Sequence, residues 1–339
     1  MEIGATRRRG RVAVIAATVL STVVVSACGS DEEDAASAEG LESVSVRLNV
    51  DATGTHAPFL LAEQNGWYEE EGLAVEFGEG NGSDSTVALI DDGDDDIGIA
   101  GFDAVAVLRG DGAQVKVVGG WEQRSPLAIV TAEGSDIDEP SDLEGSTVVM
   151  DQGDVPLFQA YAARAGFDAD AVETVTMTEK AQSAALAAGR IDGILGWTTY
   201  HAPQVSELTG GVETNLWSDS GFELMNLAII ASDETVANDS DMVCGFVRAS
   251  FRGLEEAQED PQAAIDALVE EFPNLNPTIA LGQLENMFEL LVTDDTEGEP
   301  LGWVAEQDIA QGVEILSEAG SEIQAEPADL FDNACFEDA

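Results

Sequence analysis

His56 and His201 are the chain's only histidines, and no cysteine or histidine cluster surrounds either. By themselves they cannot complete a usual zinc site. The sequence has no Gly-x-Ser-x-Gly and no Walker loop, so hydrolase and phosphate-loop chemistry lack their motifs. Carboxylates are too numerous for any one pair to mark an acid–base couple. The residue types therefore point to binding rather than catalysis, with no cofactor and no metal expected. A weak internal echo suggests where. Ala88-Leu89, Gly93, Asp96 and Gly101-Phe102 are echoed in the same order by Ala185-Leu186, Gly189, Asp192 and Gly196-Trp197. Each set reads as a helix, a glycine stop, a buried strand and an aromatic beyond the strand's carboxyl end. Open α/β sheets bind ligands at that end. Two such units facing each other would place Phe102 and Trp197 across one cleft.

The elements needed to position those residues follow from hydrophobic periodicity. Strands are predicted at Val44–Val50, Leu73–Phe77, Ile97–Ala100 and Val115–Gly119, with helices at Pro58–Asn65, Ser83–Ile90 and Phe102–Leu108 between them. The alternation then restarts. Strands at Leu127–Thr131, Thr147–Met150, Val172–Thr176 and Ile191–Leu195 enclose helices at Val155–Ala165 and Gln182–Ala188. Such alternation is the mark of parallel α/β sheets. After a strand at Asn226–Ala231 the chain turns helical, at Met242–Gln258, Pro261–Glu271, Pro277–Leu291 and Ala305–Gly320.

The N-terminus carries Arg7, Arg8, Arg9 and Arg11, then an apolar run from Val12 to Val25 and the residues Ser26-Ala27-Cys28. A basic start, a short apolar stretch and small residues before a break make an export signal. With Cys28 at its end, the stretch resembles a bacterial lipoprotein signal. That implies residues 1–27 as signal peptide, a lipid on the Cys28 thiol, and residues 28–43 as a flexible acidic tether. No later apolar run is long enough to span a membrane. The expectation is an extracytoplasmic protein held to the cell membrane by its N-terminus.

Charge narrows the partners further. There are 67 acidic residues against 13 lysines and arginines, a net charge of -54, yet 44% of residues are hydrophobic. Nucleic acid binds proteins largely through phosphate neutralisation, so this surface excludes it as a partner. Full hydrophobicity argues against disorder. An acidic surface poor in lysine suits a high-salt environment, where salt screens self-repulsion. With Cys28 committed to lipid, Cys244 and Cys335 remain as a pair that an oxidising compartment would bridge.

The run His56-Ala57-Pro58-Phe59-Leu60-Leu61-Ala62-Glu63-Gln64-Asn65-Gly66-Trp67-Tyr68, continuing to Gly72-Leu73, resembles the opening of a family. These are the periplasmic solute-binding proteins of ABC importers that include the thiamine-pyrimidine-precursor binders and their sulfonate, taurine and nitrate relatives. Pro140-Ser141-Asp142-Leu143-Glu144-Gly145 and Ala185-Leu186-Ala187-Ala188-Gly189-Arg190-Ile191-Asp192-Gly193 extend the match. The resemblance implies a type II periplasmic binding protein fold, two α/β lobes hinged around a ligand cleft, with a permease and an ATPase as partners. Lobe 1 would comprise residues 44–126 and 225–339, and lobe 2 residues 127–224. His56 falls where the pyrimidine binders carry a histidine, whereas Val50 stands where they tend to show an aromatic.

Within that frame the candidate ligand-binding residues are His56, Phe102, Trp121, Gln152, Asp154, Trp197 and Tyr200. Aromatic faces stack on a flat heterocycle, and amides and carboxylates bond its ring nitrogens and amino groups. The expected ligand is a small heterocycle such as a thiamine pyrimidine precursor or related vitamin. A sulfonate, taurine or nitrate is the alternative, with Arg124 and Arg164 as candidate donors, but Asp154 would repel an anion. His56 and Asp154 could instead serve as helix caps, and Trp121 as core. A pyridoxal-phosphate pyrimidine synthase resembles this fold too and needs a cleft lysine, for which Lys116 and Lys180 are poorly placed. A sensor without transport is a further class.

Overall fold

The computed structural model describes residues 40–150 and 152–337, with only the backbone of Gln152, Glu179 and Lys180. Cys28 and residues 1–27, with most of the proposed tether, lie outside the described residues. Ten strands form two sheets of five. They are β1 (Glu42–Arg47), β2 (Leu73–Gly78), β3 (Ile97–Gly101), β4 (Val115–Gly120), β5 (Leu127–Ala132), β6 (Thr147–Val149), β7 (Glu173–Val175), β8 (Gly193–Trp197), β9 (Val212–Leu216) and β10 (Leu227–Ser232). The first sheet has the order β2-β1-β3-β10-β4 and the second β7-β6-β8-β5-β9. Helices pack on both, which makes two α/β lobes. β1 begins at Glu42, inside the stretch read as tether, because Glu42 pairs with Leu73 of β2.

The sheets are mixed, where alternation alone had suggested parallel ones. β1, β2 and β3 pair in parallel, as do β6, β7 and β8. β10 is antiparallel to both its neighbours, and so is β5. The cause is the path of the chain. It leaves β4 at the carboxyl edge of the first sheet and crosses through residues 121–126. It therefore enters the second sheet at that sheet's carboxyl edge, where Leu127 pairs with Trp197. It returns through residues 217–226 and enters the first sheet the same way, Leu227 opposite Gly101. Both crossings thus run along the floor of the cleft between the sheets' carboxyl ends, where α/β sheets bind ligands.

An aromatic stack stiffens the first lobe. Trp121 lies on Phe59 with ring centroids 4.0 Å apart, and Phe246 stacks on Tyr68 at 5.2 Å. Stacked pairs of this kind contribute about 0.5–1.5 kcal/mol beyond their buried area. The tail folds back beside β4: the Val117 amide donates to Leu330 and the Asp332 amide to Val117. A disulfide joins Cys335 to Cys244 on the helix Ser240–Glu259.

Candidate functional site

The two crossings floor a cavity of about 470 Å³ between the lobes. The first lobe supplies the loop after β1 (Asn49, Val50), a 3-10 turn at Gly54–His56, and the starts of two helices, Ser83–Asp92 and Phe102–Gly110. The second lobe supplies Asp154 and Leu157 at the start of the helix Val155–Ala165, and Trp197, Thr199 and Tyr200 beyond β8. Glu122, Ser125 and Asn226 come from the crossings themselves.

Each wall residue is set by local geometry. The Thr53 backbone N–H donates to His56 Nδ1 at 3.1 Å. Nδ1 is therefore the acceptor and Nε2 carries the proton, which it donates to Asn49 Oδ1 at 3.0 Å. Burial pushes His56 down to about 4, so the ring is neutral at neutral pH. With its oxygen engaged, Asn49 has its amide N–H groups to offer the cavity. His56 thus both caps the turn and orients a cavity amide.

Trp197 stands at the end of β8, 43% exposed, and Val50 opposite is 39% exposed; both line the cavity. Large apolar groups left open in a cleft mark a binding surface. The Trp197 amide donates to His201 Nδ1 at 3.1 Å, so the buried His201 fixes the strand end that carries the indole. Tyr200 lines the cavity next to it, edge-on to His201.

Four carboxyl groups line the cavity: Asp84, Asp103, Glu122 and Asp154. Asp84 and Asp103 lie in the first turns of their helices, where the helix dipole favours negative charge. The Asp103 carboxyl takes backbone hydrogen bonds from its own amide and from that of Ala104. Burial pushes Asp103 above the usual carboxylate range, more than those bonds pull it down, although its side chain is exposed toward the cavity. Asp154 holds the N-cap position without a side-chain cap bond. Glu122 is 1% exposed, and burial pushes it up to about 7, against the opposing pull of Asn226.

Of the residues expected from sequence, the structure brings His56, Asp154, Trp197 and Tyr200 to one cavity. It does not bring Phe102 or Trp121 there. Phe102 is buried as the first residue of its helix and packs toward Gly312, so the next residue, Asp103, faces the cavity instead. Trp121 lies behind the wall, stacked on Phe59, and its indole N–H donates to the Thr55 carbonyl at 3.0 Å. It supports the Thr53–His56 turn rather than facing a ligand. The side chain of Gln152 lies outside what is described. Arg124 pairs with Asp219 and Glu223, and Arg164 with Glu314 and Glu318. Lys116 pairs with Asp233 and Asp332. None of the three lines the cavity.

Sequence reasoning missed Asn49, Asp103, Glu122 and Asn226. Glu122 had a readable signal: it lies two residues beyond the carboxyl end of the apolar strand β4, the end of an α/β sheet where ligands bind. Among the described residues, no helix is long and apolar enough to cross a membrane, and no group of three or more metal-type ligands could hold an ion.

Comparison with known proteins adds four findings. A family model described as "NMT1/THI5 like" matches residues 53–264. The riboflavin-binding protein RibY of Chloroflexus aurantiacus is 28% identical over 239 residues, 69% of this chain and 67% of that protein. The formylaminopyrimidine-binding protein of Halalkalibacterium halodurans is 24% identical over 310 residues, 89% of this chain and 92% of its own. Among solved structures, the periplasmic aliphatic sulphonate binding protein SsuA of Escherichia coli aligns with a TM-score of 0.66 at 16% identity, covering 85% of this chain and 97% of that one. That last likeness carries the fold.

Proposed function

We propose that the chain, which belongs to the NMT1/THI5-like family, is the extracytoplasmic solute-binding component of an ABC importer and takes a small amino-heterocycle. The observation that carries this reading is the cavity's lining. Four carboxyl groups and the amides of Asn49 and Asn226 surround an open indole, with no lysine or arginine among the described lining residues. A flat ring stacks on Trp197, and its amino groups and ring nitrogens meet carboxylates and amides. A sulfonate or nitrate would meet those four carboxyl groups, and the described lining offers it no lysine or arginine. The named ligands of RibY and of the formylaminopyrimidine-binding protein are nitrogen heterocycles, which supports the reading. The cavity's volume favours a larger ring system, a flavin, as the second reading.

Residues 44–126 with 225–339, and residues 127–224, would move as the two lobes, closing over the ligand about the crossings. A lipid on Cys28 would hold the protein at the membrane beside its permease and ATPase.

A thermal-shift screen of the purified protein in molar salt tests this, with 4-amino-2-methylpyrimidine, riboflavin, taurine, an alkanesulfonate and nitrate. A bound ligand raises the melting temperature by mass action. A rise with the aminopyrimidine or riboflavin is expected; a rise with taurine or the sulfonate alone overturns the reading. Trp197→Ala is expected to weaken the successful ligand about 10- to 100-fold, the size of a ring–aromatic stack. Asp154→Ala is expected to weaken an amino-heterocycle and spare an anion.

A further inference from the structure

Glu122 is buried in the first crossing, yet its carboxyl is only half satisfied. Oε2 accepts a hydrogen bond from the side-chain amide of Asn226 in the second crossing. Oε1 has no hydrogen-bond partner among the described residues, and Glu122 lines the cavity. Its backbone is clamped on both sides: its N–H donates to the Leu227 carbonyl at 2.9 Å and its carbonyl accepts from the Asn226 amide at 2.8 Å. These bonds fix the backbone from which the carboxyl extends, and the Asn226 side chain holds Oε2. A buried acceptor left open toward a cavity is a place for a ligand donor.

We infer that Glu122 Oε1 reads a basic ring nitrogen of the ligand by sharing one proton with it, an inference that rests on the amino-heterocycle reading. Asn226 donates its amide to Glu122, so its Oδ1 is left to accept the ligand's neighbouring amino group. Together the two side chains present one edge that matches an amidine-like edge of a heterocycle. A carboxylic acid beside a neutral ring and a carboxylate beside a protonated ring contain the same single proton, so the bound pair holds one proton in either form.

The other titratable groups on the cavity wall are His56 from the turn, Asp84 and Asp103 from the first lobe's helices, and Asp154 and Tyr200 from the second lobe. His56 is neutral, and Arg124, two residues along, is paired with Asp219 and Glu223. Burial and the Asn226 bond govern Glu122, which titrates near neutrality. Where Glu122 and the free ligand are both unprotonated, binding takes up one proton, and affinity falls about tenfold per pH unit. Where both are protonated, binding releases one proton and affinity falls as pH drops.

Isothermal titration calorimetry of the purified protein tests this with 4-amino-2-methylpyrimidine, from pH 6 to 9, in buffers of different ionisation enthalpy. One proton taken up per ligand at pH 8 to 9 is expected. The carbocyclic isostere 3-methylaniline should bind more weakly and take up none. Glu122→Gln should bind the aminopyrimidine with an affinity that changes less than about twofold over pH 7 to 9. Binding by the wild-type protein without proton uptake, a result that needs no variant, overturns this inference alone. So does uptake that persists in Glu122→Gln. Failure of the wild-type protein to bind the probe overturns both this inference and the aminopyrimidine reading.

Discussion

His56 and Glu122 face the same cavity and respond to pH in opposite directions. The fold holds His56 neutral, about 4 against its usual 6.5, so its contribution is full above 6.5 and is lost as pH falls toward 4. The fold also favours the neutral form of Glu122, about 7 against 4.5, so its contribution is full below 4.5 and is lost as pH rises toward 7. Each amounts to about 3 kcal/mol as an order of magnitude. Between pH 4.5 and 6.5 the two slopes offset each other. Glu122→Gln removes the second slope. Its stability relative to the wild-type protein should therefore improve by up to about 3 kcal/mol between pH 4.5 and 7. Urea denaturation of both proteins at the two pH values measures it; a difference independent of pH would contradict the assignment. At this scale the physical point is that burial, not charge pairing, sets both groups.

Elements hold those residues in place by close approach. The turn Gly54–His56 touches the helix Pro277–Phe288 so tightly that a Cβ on Gly54 would lie 1.9 Å from the Ala280 carbonyl oxygen. The Gly54 amide also donates to the Gln283 side chain at 2.9 Å. The same helix reaches across the cleft, where the Asn286 side-chain amide donates to the Thr198 carbonyl at 2.8 Å. One helix thus touches the turn that carries His56 and the loop just after Trp197. The disulfide acts on another pair of elements, fixing the tail with its buried Leu330 and its pairing to Val117. Its closed loop spans a separation of 91 residues, for which chain entropy gives about 4–5 kcal/mol as an upper figure. Reduction, or Cys335→Ser, should lower the urea midpoint without loss of the helical circular-dichroism signal at zero urea. An unchanged midpoint would show that the tail's other contacts suffice.

The whole molecule carries its charge everywhere at once. A net -54 over 339 residues, with ten acidic–basic pairs within 4.0 Å among the described residues, leaves most carboxylates without a cation. Repulsion of that kind opposes the compact state and is screened by salt within about a nanometre. The melting temperature should rise steadily from dilute buffer to molar salt. A melting temperature that does not rise would mean that the packed core alone sets stability. Carboxyl groups in the cavity add to the same field, so salt should also ease any movement that brings Asp154 toward Asp84 and Asp103.

The sequence by itself determined nine of the ten described strands, most of the helices and the carboxyl-end rule, because apolar periodicity and glycine stops act within a few residues; it missed β9 and the helices Trp67–Glu70, His201–Thr209 and Asp233–Asn238. Those local signals placed Trp197, Tyr200 and Asp154 at strand and helix ends, and the structure brings them to one cavity with His56. Only the tertiary structure decided which way each end faces. Phe102 and Asp103 are neighbours on one helix turn, and packing against Gly312 sends the ring inward and the carboxylate to the cavity. Trp121 and Glu122 are neighbours in one crossing, and the stack on Phe59 takes the indole while Asn226, over a hundred residues away, takes the carboxyl. The antiparallel strands β5 and β10 were equally hidden, since their direction depends on where the chain crosses between sheets. Contacts between distant segments decided these features, and no local pattern of residues encodes them.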